Sequence, residues 1–138
     1  MVQLIVGEKG KGKTKVLLDK VNSQVQIVDG NILYLDKSSK HMYELNNKIR
    51  LIDISEYEIT DSNEFIGFIL GLISQDHDIE QIYLDSFLKT AAIKENLSQV
   101  INKLEAISIK FNIGFTLSVS QNEVDLPKEI AGFIEVSL

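Results

Sequence analysis

A chain of 138 residues, 44% apolar and 25% charged, has enough apolar material for one real core and is expected to form a single domain over residues 1–138. Its 20 acidic against 14 basic side chains leave a net charge of −6, which opposes sequence-independent attraction to free nucleic acid or anionic membrane. Without cysteine there is no disulfide framework, thiolate nucleophile or Cys-based zinc site, and the opening residues have neither the basic flank nor the apolar length of an export signal, so the cytoplasm is the expected location.

In chain order, the apolar run Val2 to Val6 reads as a strand. A loop rich in glycine and lysine, Gly7 to Gly12, leads into a helix from Lys13 to Val21. Strands follow at Ile32 to Leu35 and Ile49 to Ile54, separated by a polar span from Lys37 to Lys48 that suits either a short helix or a mobile loop. A helix from Ser62 to Ser74 contains Phe65 to Ile73, apolar nearly all round, as in a helix buried in the core or one covered by a partner subunit. After the strand Gln81 to Leu84, a helix runs from Leu97 to Phe111, with Asn96 and Gln99 placed for a variant of the capping box. The glycosylation-like pattern Asn96-Leu97-Ser98 is read as this helix start. Strands at Phe115 to Ser120 and Phe133 to Val136 flank a short turn from Pro127 to Ala131, where proline suits a first helical position. The strand runs are nearly continuous rather than alternating, which predicts an α/β fold: a mostly parallel sheet between two helical layers.

The string Gly7-Glu8-Lys9-Gly10-Lys11-Gly12-Lys13-Thr14 matches G-x-x-x-x-G-K-[ST] at every defined position, directly between a strand and a helix. Each position has a separate physical job. The glycines let backbone N–H groups curl around a phosphate, the helix presents its positive end, Lys13 reaches the β- and γ-oxygens, and the Thr14 hydroxyl suits a magnesium ion. Lys9 and Lys11 either add local positive potential or are simply solvated loop lysines.

With these residues the sequence resembles the P-loop NTPases. The flanking motifs narrow the resemblance. Ile82-Tyr83-Leu84-Asp85 supplies a carboxylate at the end of a buried strand, where an open α/β sheet places its ligand crevice, and Asp85 is similar in position to the Walker B residue that holds Mg²⁺ opposite Thr14. Two strands precede it and the next one ends in Gln121, a series that resembles the RecA-type ATPase core. That resemblance implies a three-layer α/β/α fold with strand order 5-1-4-3-2 and the final strand beside the fifth. It also implies that Asp36, closing Ile32-Leu33-Tyr34-Leu35, positions and activates the attacking water. The family usually carries glutamate there, and the shorter aspartate implies slow or partner-dependent hydrolysis. By the same resemblance Gln121 stands where the γ-phosphate sensor does.

Several branches are disfavoured. The span from Gln121 to Pro127 is too short for the DNA-binding loop of recombinases, and no basic stripe compensates. Arg50 is the only arginine and begins a strand, at the sheet end away from the phosphate loop, so no cis arginine finger is visible. Asn102-Lys103-Leu104-Glu105 lacks the last residue of a guanine-reading motif and lies within a helix. The resulting expectation is an Mg-ATP (or ADP) binding module, a slow or partner-stimulated ATPase with Lys13, Asp36 and Gln121 as the reacting groups and Thr14 and Asp85 at the metal. A nucleotide-responsive interaction module without turnover, or a small-molecule phosphotransferase, are the alternatives. A protein partner or a homo-oligomer is compatible with either, whereas free nucleic acid and membrane are not expected.

Overall fold

The computed structural model describes residues 1–138. Six apolar runs become strands: β1 (Val2–Val6), β2 (Asn31–Asp36), β3 (Ile49–Asp53), β4 (Ile79–Leu84), β5 (Gly114–Val119) and β6 (Ile134–Ser137). The helices are α1 (Lys13–Gln24), α2 (Ser62–Gln75), α3 (Phe87–Thr90) and α4 (Leu97–Phe111). All ladder pairings are parallel, and the sheet runs β3-β2-β4-β5-β1-β6.

The α/β expectation holds, but the strand order needs correcting. β1 lies beside β5 as expected, but its other neighbour is β6 rather than β4, and β4 pairs with β5 on the side where the final strand was expected. The source of the difference is β3. It is an additional edge strand, paired with β2 alone from Ile32 opposite Ile49 to Asp36 opposite Asp53. With β3 set aside, the other five strands run 5-1-4-3-2 in their own sequence.

The sheet has two unlike faces. Toward α2 and α4, Leu4, Leu33, Ile82 and Phe115 join Phe65, Ile69, Ile101 and Leu104 in a continuous core of 28 buried residues. Toward α1, a cluster of only nine residues joins Ile5, Tyr34 and Tyr83 to Leu17 and Val21. α2 answers the question its composition raised. Phe65, Ile66, Ile69, Leu72 and Ile73 are buried, while Gly67, Leu70 and Gly71 face outward, so the helix is amphipathic with glycines on its outer side. Its start is capped by Asp61, which accepts from the Glu64 N–H at 2.8 Å while Glu64 accepts from the Thr60 N–H at 2.8 Å. α4 begins at Leu97 as expected, but Asn96 makes no capping bond; its side-chain amide donates to Ser62 Oγ at 2.7 Å and ties α4 to α2. Pro127 precedes a six-residue 3₁₀ segment, Lys128–Phe133, rather than opening a helix from within. No helix is long and apolar enough to cross a membrane.

Candidate functional site

The glycine- and lysine-rich loop lies between the carboxyl end of β1 and α1, and its shape depends on glycine. Gly10 and Gly12 have φ of 87° and 94°, in the left-handed region that L side chains rarely adopt, and no atom stands within 4 Å of a Cβ at either. Gly7 is confined instead. Its N–H donates to the Gln121 carbonyl at 2.9 Å, and a Cβ there would meet Leu138 at 3.1 Å. Lys13, buried despite its charge, donates from Nζ to the Glu8 carbonyl at 2.9 Å. Burial lowers its pKa, and the nearby Asp85 charge partly offsets this. Glu8 turns its side chain the other way and accepts from Asn122 Nδ2 at 2.7 Å.

Asp85 is the most heavily bonded carboxylate of the chain. Its Oδ1 accepts from Ser118 Oγ at 2.7 Å, from the Ser86 N–H at 2.9 Å and from Thr14 Oγ1 at 3.4 Å. Oδ2 accepts from the buried Tyr34 hydroxyl at 3.0 Å. Ser86 reaches this position at φ 50°, a left-handed conformation that costs a non-glycine residue about 1 kcal/mol or more and here turns its N–H onto both Asp85 and Ser118 Oγ. Thr90 of α3 donates to the Asp85 carbonyl at 2.7 Å, so backbone and side chain are both held. Burial, together with the Asp85 charge and hydrogen bond, raises the Tyr34 hydroxyl well above its ordinary pKa, so it stays a donor.

These groups open onto a cavity of about 480 Å³ lined by Lys9, Gly10, Gly12, Lys13 and Thr14 on one side and by Asp85, Ser86, Ser118 and Ser120 on the other. Lys40 and Lys89 complete its cationic wall. In a chain of net charge −6, four lysines around one cavity focus positive potential there.

Lys13, Thr14 and Asp85, separated by up to 72 positions in sequence, therefore meet at one cavity, and Gly10, Lys9 and Gly12 line it as well. Lys11 is exposed on the loop. Asp36 is buried beside Asp85 but is not part of the cavity wall; its Oδ1 accepts from the Lys37 N–H at 2.7 Å. Its pKa is raised, first by burial and then by the Asp85 charge, against the opposing pull of the Lys37 N–H, His41 and Lys40. Gln121 does not join the group. It lines a separate groove with Leu88, Asp125 and Pro127, and what it offers the loop is its backbone carbonyl. The reason is length: β5 ends at Val119, and the side chains that reach the cavity there are Ser118 and, just past the strand, Ser120.

Sequence reasoning missed Tyr34, Ser118, Lys40 and Lys89. The alternation in Phe115-Thr116-Leu117-Ser118-Val119 was the available signal for Ser118, since period-two polar positions share one face of the sheet. The span from Lys37 to Lys48 contains one 3₁₀ turn, Met42–Glu44, and is fastened to α1 by Asn22, which donates to the Glu44 carbonyl and accepts from the Asn46 N–H, both at 2.8 Å.

No family model matches the sequence, and no curated protein matches it. Among solved structures, a KaiC-like protein from the hyperthermophilic archaeon Pyrococcus horikoshii is similar, with a TM-score of 0.59 and 16% identity, over 85% of this chain and 61% of that one. The present chain thus corresponds to about three-fifths of that protein's length. At this identity the likeness bears on the fold alone, and it agrees with the all-parallel sheet: the chain has a three-layer α/β/α fold like that of the KaiC-like protein.

Proposed function

We propose that the protein binds Mg-ATP and hydrolyses it slowly, by attack of water on the γ-phosphate. The observation that carries this reading is the convergence of Lys13, Thr14 and Asp85 on one lysine-walled cavity, with Thr14 Oγ1 3.4 Å from Asp85 Oδ1. The donor set fits a hard cation: a hydroxyl and a carboxylate oxygen, with no sulfur or nitrogen among them. Thr14 and Asp85 would hold the magnesium, which supplies charge neutralisation at the phosphates. Glu8, Lys9, Gly10 and Gly12 would present backbone N–H groups to the phosphates, with Gly7 anchoring the loop through its bond to the Gln121 carbonyl and Lys11 closing the turn onto the Glu8 carbonyl, and Lys13 would add a full positive charge. Asp36, with its raised pKa, is suited to accept a proton from water.

A second reading, binding without turnover, is favoured by one specific observation. Asp36 stands behind the cavity wall, and Gln121 lies in another groove. Calorimetric titration with ATP, with and without Mg²⁺, and phosphate release in the same sample decide between them. The expected result is binding that tightens with Mg²⁺, followed by slow release that is lost in Asp36→Asn. Tight binding without release selects the second reading. Lys13→Ala should weaken ATP binding at least about tenfold, about 1.4 kcal/mol; unchanged affinity in that variant would remove the site assignment altogether.

A further inference from the structure

We propose that Asp36, His41 and Asp85 form a site for a divalent first-row transition cation, separate from the magnesium position at Thr14. One ligand atom from each of the three residues lies within 4.8 Å of the others. A cation with bonds of about 2.1 Å spans about 4.2 Å between opposite ligands, so a small side-chain adjustment closes the set. His41 belongs to the segment that Asn22 fastens to α1.

The donor inventory supports a cation here. Asp85 Oδ1 already takes three donors, whereas Oδ2 takes only the Tyr34 hydroxyl and retains a free lone pair. Asp36 is 5% exposed, and its single bond is from the Lys37 N–H to Oδ1; Oδ2 accepts none. Two buried carboxylates therefore lie close together, an arrangement that favours a positive charge beside them. His41 contributes the second, independent observation. Its Nδ1 lies 3.0 Å from Glu44 Oε1, and the side chain is only 20% exposed. A carboxylate on one ring nitrogen fixes the ring and leaves Nε2 for a metal, the arrangement that stands behind most metal-ligating histidines. One imidazole with two carboxylates suits Mn²⁺, Fe²⁺, Co²⁺ or Zn²⁺, whereas Mg²⁺ prefers oxygen alone.

The site shares Asp85 with the proposed magnesium position but needs no nucleotide, so the two readings fail separately. The test is a Co²⁺ titration of the full, nucleotide-free chain, followed by visible absorption and calorimetry. One equivalent is expected to bind with the bands of a nitrogen- and oxygen-ligated ion. His41→Ala and Asp36→Asn should each weaken binding at least about tenfold, and Glu44→Gln about 10- to 100-fold through loss of the ring's support. Thr14→Ala and His77→Ala should leave it within about twofold, with circular dichroism confirming that every variant is folded. Three results would overturn the proposal: no saturable Co²⁺ binding up to about millimolar concentration, undiminished binding in His41→Ala, or equal loss in Thr14→Ala, which would place the ion at the magnesium position. Loss of ATP binding in Lys13→Ala with Co²⁺ affinity intact would bear on the nucleotide reading alone.

Discussion

The two faces of the sheet divide the work of the molecule. Toward α2 and α4 the strands present leucine, isoleucine, valine and phenylalanine, and 28 buried residues form one uninterrupted core. Toward α1 the same strands present Thr116, Ser118, Tyr83, Tyr34, Asp36 and Asp85, and only nine residues form an apolar cluster. Hydrophobic burial follows area, so the first face supplies most of the stability. The second is where hydroxyls and carboxylates can be buried, because each finds a partner: no buried side-chain polar atom lacks a hydrogen bond. The buried polar groups thus sit on the less apolar face, supported from behind by the more apolar one.

Phe65→Ala is the strongest way to break this division. Phe65 is fully buried edge-on to Phe87, with ring centroids 5.9 Å apart, and its truncation should cost about 3–5 kcal/mol in urea unfolding. ATP affinity of the folded protein should be unchanged; a large loss would mean that the two faces are not separable. On the other face, Tyr34→Phe deletes the donor to Asp85 Oδ2 and should cost about 1.5–3 kcal/mol, the range for a bond to a charged group, with a loss of Mg²⁺-dependent ATP affinity that Phe65→Ala does not produce. Asn22→Ala removes two bonds to the segment carrying His41 and should cost about 1–2 kcal/mol, with amide exchange accelerating at residues 42–46 first.

A smaller effect sharpens the comparison through its sign. Because burial and Asp85 raise the Asp36 pKa, the folded state holds that proton more tightly than the unfolded chain does. Its contribution to stability is present at low pH and is lost as pH rises through the raised pKa. Asp36→Asn should therefore be more stable than the wild type at pH 7, with the gap shrinking as pH falls toward the ordinary carboxylate range. A series of urea midpoints against pH checks it, and a gap that widens with acid would refute it. The smallest effect belongs to Lys15 and Asp19, an exposed i,i+4 pair at 3.4 Å. Lys15→Ala should change stability by at most about 0.5 kcal/mol and leave both faces untouched.

Local features were legible wherever the signal was local. α4 spans Leu97–Phe111 as its periodicity predicts, β1 spans Val2–Val6, and the loop from Gly7 to Thr14 carries its own spacing. α1 runs three residues beyond its expected end because Asn22, Ser23 and Gln24 are polar and carry no apolar repeat. Asp85 was recognisable as a carboxylate closing a buried strand, but its four donors come from four separate stretches of chain, and no spacing rule connects them. Gln121 shows how much a strand boundary decides: with β5 ending at Val119, its side chain lines a groove apart from the lysine-walled cavity.

The amino-acid sequence by itself determined the class of the fold and the glycine-rich loop between β1 and α1, because apolar periodicity and glycine spacing act over a few neighbouring residues. Tertiary structure alone decided that β3 is an added edge strand, that β5 separates β1 from β4, and that Asp36, His41 and Asp85 share one corner of the sheet. Parallel strands pair through long crossovers, so their neighbours are selected by packing of whole helices against the sheet, and side chains dozens of residues apart become partners only after that selection is made.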